Sequence, residues 1–542
     1  MSKTFFASGL AALCLASPAS ADLTAEAVLA DQLNLLSFGG NVTVATDGLT
    51  PGPDGLTVDA FILQAAGDDT DTEVRVGGLE LREETDGSVR ILYPEVVPIT
   101  ATWTSEAHGP VTNEFSIAFD RLTHRVTDSP AGMRHDIAFA SATLSDFETT
   151  PREAVEDFDG DLDLSLTNVD TSLLFSGGNT PQWNVTFALG SLVSSLNGTS
   201  DSDDMLIDIV FEMIGVAGKL DFSGSDITRH SMDLSIDDFA WRQEMSGDDL
   251  DAFDMTMAAD NFELGYDVAF SIEDFENDPG AALAEGQGVE GGLRYGAMVM
   301  DMAAETPDGP FSSRSVAGET TAALTLDSSR FSMSMETLDN RAEIVVPVEP
   351  FVPVNGIAYQ VARSLVDIDI PLKPGDAPQP FRMNLAVTGI EMAEDLWAIF
   401  DSGAVLPRDP VDVELDIDGT TVIAEDPLSA RPGEMPFSDT KVRLNALRLA
   451  LAGAELTATG EATDTSEDGV PNGFGRIDSE LTGFNTLLDR LIDLGLLTSE
   501  QAMPARMGLN LIARPGDGPD ELVSTIEVNE DGQITANGQR LR

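Results

Sequence analysis

An all-β fold, built of long antiparallel sheets that curve or stack as two layers and carrying only a few short helices, is what this sequence predicts. Three observations lead there. Apolar and polar residues alternate with period two along most of the chain, clusters of Gly, Pro, Asp and Asn punctuate the alternation, and helical periodicity is confined to a few short places. Composition allows a large core, with 42% hydrophobic and 23% charged residues, close to ordinary globular usage.

The first stretch reads as a secretory signal peptide over residues 1–21. Lys3 supplies the positive region, Phe5 to Ala16 the apolar region, and Ala19-Ser20-Ala21 a small-residue cleavage site. No later stretch reaches the roughly 18 to 20 apolar residues that a spanning helix needs, so a soluble, periplasmic protein with no transmembrane segment is expected. The single cysteine, Cys14, lies inside the signal, preceded by Leu13 where a lipoprotein signal needs a small residue. The mature chain therefore has no cysteine for a disulfide, a thiolate-bound zinc or a redox role.

After the signal, Thr24 caps a short helix that opens at Leu23 to Leu29, with Glu26 in its first turn. Strand alternation follows in Val42-Thr43-Val44, Leu56 to Ala60, Val74-Arg75-Val76 and Phe115 to Phe119. It returns in Asp161 to Leu166, with acids on one face and leucines on the other. Loops are expected at Asn197 to Asp204, Asn277 to Gly292, Glu305 to Gly318, Pro347 to Asn355, Glu425 to Ser438 and Asp464 to Gly473. The run Pro347 to Pro353 favours an extended linker and divides the chain into an N-terminal β-rich region, 22–346, and a C-terminal one, 347–542. A helical hairpin is expected near 485–513. Leu487, Leu488, Leu491, Ile492 and Leu494 form an apolar stripe ended by Gly495, and Thr498-Ser499-Glu500-Gln501 forms a capping box for a helix that Pro504 should bend or delay. Leu234 to Phe239 recurs as Phe270 to Phe275, with an echo at Leu144 to Phe147, which suggests a shared strand-and-turn unit.

Charge excludes one class of partner. With 29 Lys plus Arg against 94 Asp plus Glu the net charge is -65, so the chain lacks the basic surface that a phosphate backbone requires. Only Lys3, Lys219, Lys373 and Lys441 are lysines; the other basic residues are arginines. Adaptation to salt accounts for such acidity, and a patch for a basic partner is the functional alternative. Anionic lipid surfaces are disfavoured, which leaves single lipid molecules as the accessible form of lipid.

Chemical motifs are weak. Gly286-Gln287-Gly288-Val289-Glu290-Gly291 matches a dinucleotide fingerprint, but strand alternation, not a helix, follows it. Asp157 to Asp163 spaces acids like a calcium loop, yet Leu162 stands where that loop needs Gly and Asn168 where it needs Glu. His108, His124, His135 and His230 show no metal spacing and read as surface or turn residues. His135 beside Asp136 would be half of a triad without a nucleophile elbow. No catalytic residue, metal or cofactor is therefore expected.

One pattern is distinctive. Met232, Leu234 and Ile236, then Phe253, Met255 and Met257, then Met298, Met300 and Met302, then Phe331, Met333 and Met335 put a methionine-rich apolar face on four strands. Methionine adapts to ligands of variable shape and equally fills core gaps, so the face is either an ordinary core or an apolar-ligand face. The leading expectation is a non-enzymatic envelope protein that binds lipid or another apolar ligand on the inner face of a curved sheet. The alternative is an acidic scaffold that docks an envelope protein partner, with a closed core.

Leu396-Trp397-Ala398-Ile399-Phe400-Asp401 followed by Leu406-Pro407-Arg408-Asp409-Pro410 resembles the signature of an alphaproteobacterial exported family known as domain of unknown function 2125. Pro378-Gln379-Pro380-Phe381 before a strand, Ala505 to Gly508 with Ala513-Arg514-Pro515, Ser524 to Glu527 with Asn537 to Arg540, and the opening helix agree with it. The likeness covers nearly the whole mature chain and is strongest from Pro378 onward. The family is distantly similar to AsmA-like envelope proteins, which implies a β-rich body and lipid handling in the envelope. Within the signature, Trp397 is expected to anchor a short helix with Asp401 near its end. Pro407 and Pro410 then lead into a strand from Val411, and Arg408 pairs locally with Asp409.

Overall fold

In a computed structural model of the chain, residues 23–37, 42–66, 71–105, 109–151, 159–176, 182–200, 205–224, 228–247, 250–306, 309–346, 356–430, 436–464 and 473–541 are described. The signal segment and the 347–353 run lie outside them. Among the described residues there are 29 strands and six helices, and every strand pairing with a described register is antiparallel. The expected all-β class with few short helices is what the chain adopts.

The chain forms two compact units. The first takes Met1–Ala154 and Val169–Ser176. It contains α1 (Ala25–Leu36), β1 (Val42–Asp47), β2 (Thr50–Gly52), β3 (Gly55–Ala66), β4 (Asp71–Glu83), β5 (Val89–Leu92), β6 (Val96–Ser105), β7 (Gly109–Asp120), β8 (Thr123–Ser129), β9 (Gly132–Thr150) and the second half of β10 (Asp159–Ser176). Thr24 caps α1 as expected, its side chain accepting from the Ala27 N–H at 3.2 Å. The helix runs to Leu36, longer than the sequence suggested, because Val28 and Leu29 bury against β3 and β4 with Leu56, Val58, Leu81 and Val89.

The second unit takes Val155–Asn168 and Gly177–Arg542. After the first half of β10 come β11 (Gln182–Ser200), β12 (Met205–Ser223), β13 (Thr228–Gly247), β14 (Leu250–Phe270), α2 (Ile272–Asn277), α3 (Pro279–Ala284), β15 (Gly288–Tyr295), β16 (Met298–Thr306), β17 (Gly309–Ala317) and β18 (Thr320–Leu326). Then follow β19 (Arg330–Val345), β20 (Gly356–Pro371), β21 (Gly375–Met392), α4 (Glu394–Ala398), β22 (Val411–Ile423), β23 (Phe437–Leu451), β24 (Ala454–Asp464) and β25 (Gly473–Thr482). The chain ends with α5 (Phe484–Asp493), α6 (Ser499–Ile512), β26 (Arg514–Pro515), β27 (Glu521–Val528), β28 (Ile534–Ala536) and β29 (Gln539–Arg540).

Several local expectations need correction. Gly309 to Ala317, read as loop, is strand β17, which pairs with β16 over its whole length. Strand β11 runs through Asn197 to Ser200, and Pro378 to Phe381 lie inside β21 rather than before it. The second copy of the internal similarity is not a strand, because Ser271 caps α2 through the Asp274 N–H. The hairpin near 485–513 forms as α5 and α6. Thr498 and Gln501 make the reciprocal capping box, and Pro504 sits inside α6 without delaying its start.

The long strands change their side-chain phase at one transverse line. On β13 the less exposed residues are Met232, Leu234 and Ile236, then both Asp237 and Asp238 face solvent, and the less exposed set resumes at Phe239, Trp241, Gln243 and Met245. Gly215 on β12 and Asn261 on β14 flank Asp237 and have left-handed φ of 64° and 51°. A left-handed residue interrupts the pleat, so the alternation restarts one residue out of step and the apolar residues stay on the less exposed side. Asp339 on β19 and Gly389 on β21, with φ of 50° and 67°, make a second such line.

Candidate functional site

Directly opposed residues of antiparallel strands project from the same face, so the register places each methionine of the expected ligand face. Two groups form, both in the second unit. Leu234 faces Leu264, which faces Leu293, Ala322, Met335, Val366, Leu385, Leu415 and Leu447 in succession across nine strands. One step along, Met232 leads through Tyr266, Gly291 and Leu324 to Met333 and Ile368, and Phe331 lies between Leu326 and Ile370. Ile236 faces Phe262 on the same side of the phase line. Beyond that line, Met257 faces Met300 and Met255 faces Met302, with Phe253 opposite Ala304 and Met298 opposite Ala259.

Packing does not close this face. Met335 is 48% exposed, Val413 42% and Ile477 45%, although all three stand on apolar positions of their strands. Gly218, Leu234, Leu264, Leu293 and Ala322 line a shallow depression of about 640 Å³. The opposite face is charged. Asp369, Arg382, Asp418, Arg443, Glu461, Arg476 and Glu527 oppose one another in turn on β20 to β25 and β27, each sign next to its opposite. Such cross-strand pairs each contribute about 0.2–1 kcal/mol and penalise slipped registers.

Around α4 the geometry is that of a sealed structural knot. Trp397 is buried with Leu406 and Ala452, against Met392, Leu487 and Leu491. Asp401, with no exposed surface, accepts from the N–H groups of Val405 and Leu406 at 2.8 Å each and from Nη1 of Arg408 at 2.6 Å. Arg408 therefore pairs with Asp401 and with Glu394, 3.0 Å away, rather than with Asp409, and its guanidinium lies 4.4 Å over the Trp397 ring. Burial pushes the Asp401 carboxyl up, but Arg408 and the two N–H groups together hold it below the usual carboxylate range.

The histidines also depart from expectation. His124 and His135 are buried in the first unit, and His135 bonds Asp31 of α1 rather than Asp136. The chain of contacts is Tyr93 Oη to His124 Nδ1 at 2.9 Å, His124 Nε2 to His135 Nδ1 at 3.0 Å, and His135 Nε2 to Asp31 Oδ2 at 3.0 Å. Burial, then the neighbouring His135, depresses His124 to about 3, while burial raises Tyr93 to about 12 against a bond from Gln32. His230 packs edge-on against Tyr266, and His108 lies outside the described residues.

The dinucleotide-like glycines occupy the turn after α3 and the start of β15, so no helix follows them. Residues 157 and 158 of the calcium-like run lie outside the described residues, and Asp161 and Asp163 occupy exposed positions of β10. Among the described residues no cluster of three or more His, Cys, Asp or Glu is placed to hold a metal, and no helix is long and apolar enough to cross a membrane.

These features define an antiparallel β protein whose larger unit presents an apolar face backed by a charged one. Residues 364–541 match the family model described as an uncharacterized protein conserved in bacteria, domain of unknown function 2125. The matched segment contains the Trp397, Asp401 and Arg408 knot, the helical hairpin and the residues of the charge ladder. No curated protein matches the chain.

Proposed function

We propose that this chain is an exported, periplasmic and non-enzymatic envelope protein that binds lipid or another apolar ligand along the apolar face of its second unit. The observation that carries the reading is the exposure of Met335, Val413 and Ile477 on rows that are apolar across many strands. Contiguous apolar surface of that extent on a chain of net charge -65 calls for an apolar partner. The signal-like N-terminus supports export, and the distant resemblance of the family to AsmA-like envelope proteins agrees with lipid handling. The saturated hydrogen bonding of His124 and His135 inside the core supports a structural role for the buried histidines. A scaffold role is the second reading, favoured by Met503, Met507 and Leu511, which line one exposed stripe of α6.

Native mass spectrometry of the mature protein, with extraction of bound lipid, tests this. Co-purifying lipid that Met255→Asp, Met300→Asp and Met335→Asp displace, with the fold retained, is the expected result. A clean apo mass and no uptake of an environment-sensitive apolar dye would turn the reading to the scaffold.

A further inference from the structure

We propose, resting on that lipid reading, that the methionine group on β14 and β16 takes the acyl chain of a neutral ester and that Trp241 donates a hydrogen bond to the ester carbonyl. Trp241 stands on β13 between Phe211 on β12 and Met257 on β14, with Met300 next in the row. Its Nε1 is buried and has no hydrogen-bond partner among the described residues. An indole N–H left unpaired among apolar side chains is costly, and proteins seldom keep one without a use. Flexible Met257 flanks it and Met300 lies one strand further along the row, so an acceptor reaches the N–H by side-chain rotation without breaking a packed core. Gln243, one step along the same face, has an amide that already donates to Met245 Sδ at 2.7 Å, and Ser315 and Ser313 on β17 oppose Met300 and Met302 there.

Charge decides between a carboxylate and an ester. The arginines beside the methionine group, Arg242 on β13 and Arg314 on β17, alternate with that face and project from the opposite one. They are paired there with Glu244 at 2.8 Å and Asp301 at 3.0 Å. An ionised fatty acid would enter a strongly acidic protein without a cation to meet it, whereas an ester carbonyl needs only the donor that Trp241 supplies. A few fixed polar groups in an apolar lining are what orient a ligand.

The test compares a monoacylglycerol, its ether-linked counterpart of the same chain and the matching free fatty acid, each binding to the full mature protein. The ester is expected to bind about tenfold tighter than the ether, the value of one neutral hydrogen bond, and tighter than the fatty acid. In Trp241→Phe, which keeps an aromatic ring, the gap between ester and ether should vanish. Bromine placed near the ester should quench the wild-type tryptophan emission more than bromine near the chain end, and Trp241→Phe should remove that difference. Equal binding of ester and ether by the wild type would overturn the assignment while leaving an apolar-ligand protein in place; a gap that survives in Trp241→Phe would do the same. Tighter binding of the fatty acid would overturn the choice of ester. Failure of all three probes to bind would sink the lipid reading as well.

Discussion

Arg408 Nη1 donates to Asp401 Oδ2 across 2.6 Å while two backbone N–H groups, of Val405 and Leu406, converge on the same carboxylate. The turn from α4 into β22 is thus wound around one buried charge, and Trp397 closes it through its contact with the guanidinium. Removing either partner strands the other in a desolvated place.

Arg408→Ala should accordingly lower the melting temperature by several degrees, and Arg408→Lys should recover only part of the loss because a lysine cannot serve Asp401 and Glu394 together while lying flat on an indole. Since the folded Asp401 carboxyl sits below its unfolded value, its contribution is complete above about pH 4 and is lost as pH falls through the depressed value. Thermal unfolding followed from pH 7 to pH 2 checks this. A wild-type curve that Asp401→Asn leaves unchanged on the acid side would refute the assignment.

A second pH dependence comes from the first unit at milder acidity. Folded His124 is held near 3, whereas in the unfolded chain it titrates near 6.5, so the unfolded state binds a proton that the native state refuses between those values. Stability should therefore be full above about pH 6.5 and fall by about 2 kcal/mol on going to pH 5, at up to about 1.4 kcal/mol per pH unit. The groups facing it are Tyr93, His135 and Asp136, with Asp31 of α1 one bond further on, and only His135 adds a like charge if protonated. His124→Gln keeps polar contacts and removes the titration. Denaturant midpoints measured at pH 7 and pH 5 should converge in that variant, and equal losses in variant and wild type would contradict the expectation.

How much of this was legible in the sequence depends on the range of the interaction. Strands such as Val42 to Asp47 and Phe115 to Phe119 follow from local alternation, and the α5 and α6 hairpin follows from its stripe, Gly495 and the Thr498 box, all within a few residues. The partnership of Asp31 with His135 spans 104 residues, and no spacing rule announces it. The methionine positions were readable as one face. Their division into two groups was not, because it depends on Gly215 and Asn261 taking left-handed φ. The signal was present as a slip in phase between Ile236 and Phe239, with Asp, Asn and Gly at the slip, which are the residues that tolerate that conformation. Arg408 next to Asp409 illustrates the opposite failure, where adjacency suggested a pair and the fold chose Asp401, seven residues back.

The phase line gives a third prediction. At φ 64° Gly215 has its hydrogen where a Cβ would collide with the Asp237 carboxylate. Gly215→Ala should then cost about 2 kcal/mol or more, from left-handed strain together with the collision. Asp237→Gly alone should be mild, since that side chain is exposed, and combining the two should recover the part due to the collision and leave the strain. A double-mutant cycle by chemical denaturation separates these terms. Additive losses would mean that Gly215 and Asp237 do not meet as described.

The charge ladder gives the last. Arg443 stands between Asp418 on β22 and Glu461 on β24, so Arg443→Glu would set three like charges in a row across adjacent strands. Exposed pairs are individually weak, and the reversal converts two attractions to two repulsions, which sets the loss at about 1–2 kcal/mol in dilute buffer. Salt discriminates this from a packing effect. Screening acts over about 10 Å at 0.1 M and about 3 Å at 1 M, so molar salt should remove most of the loss for charges one strand apart. Glu461→Arg added to Arg443→Glu makes that pair attractive again but sets the new arginine against Arg476 and leaves the clash with Asp418, so it should recover little of the stability. A loss that persists undiminished in molar salt would mean that the arginine stem packs on the sheet and that its charge contributes little.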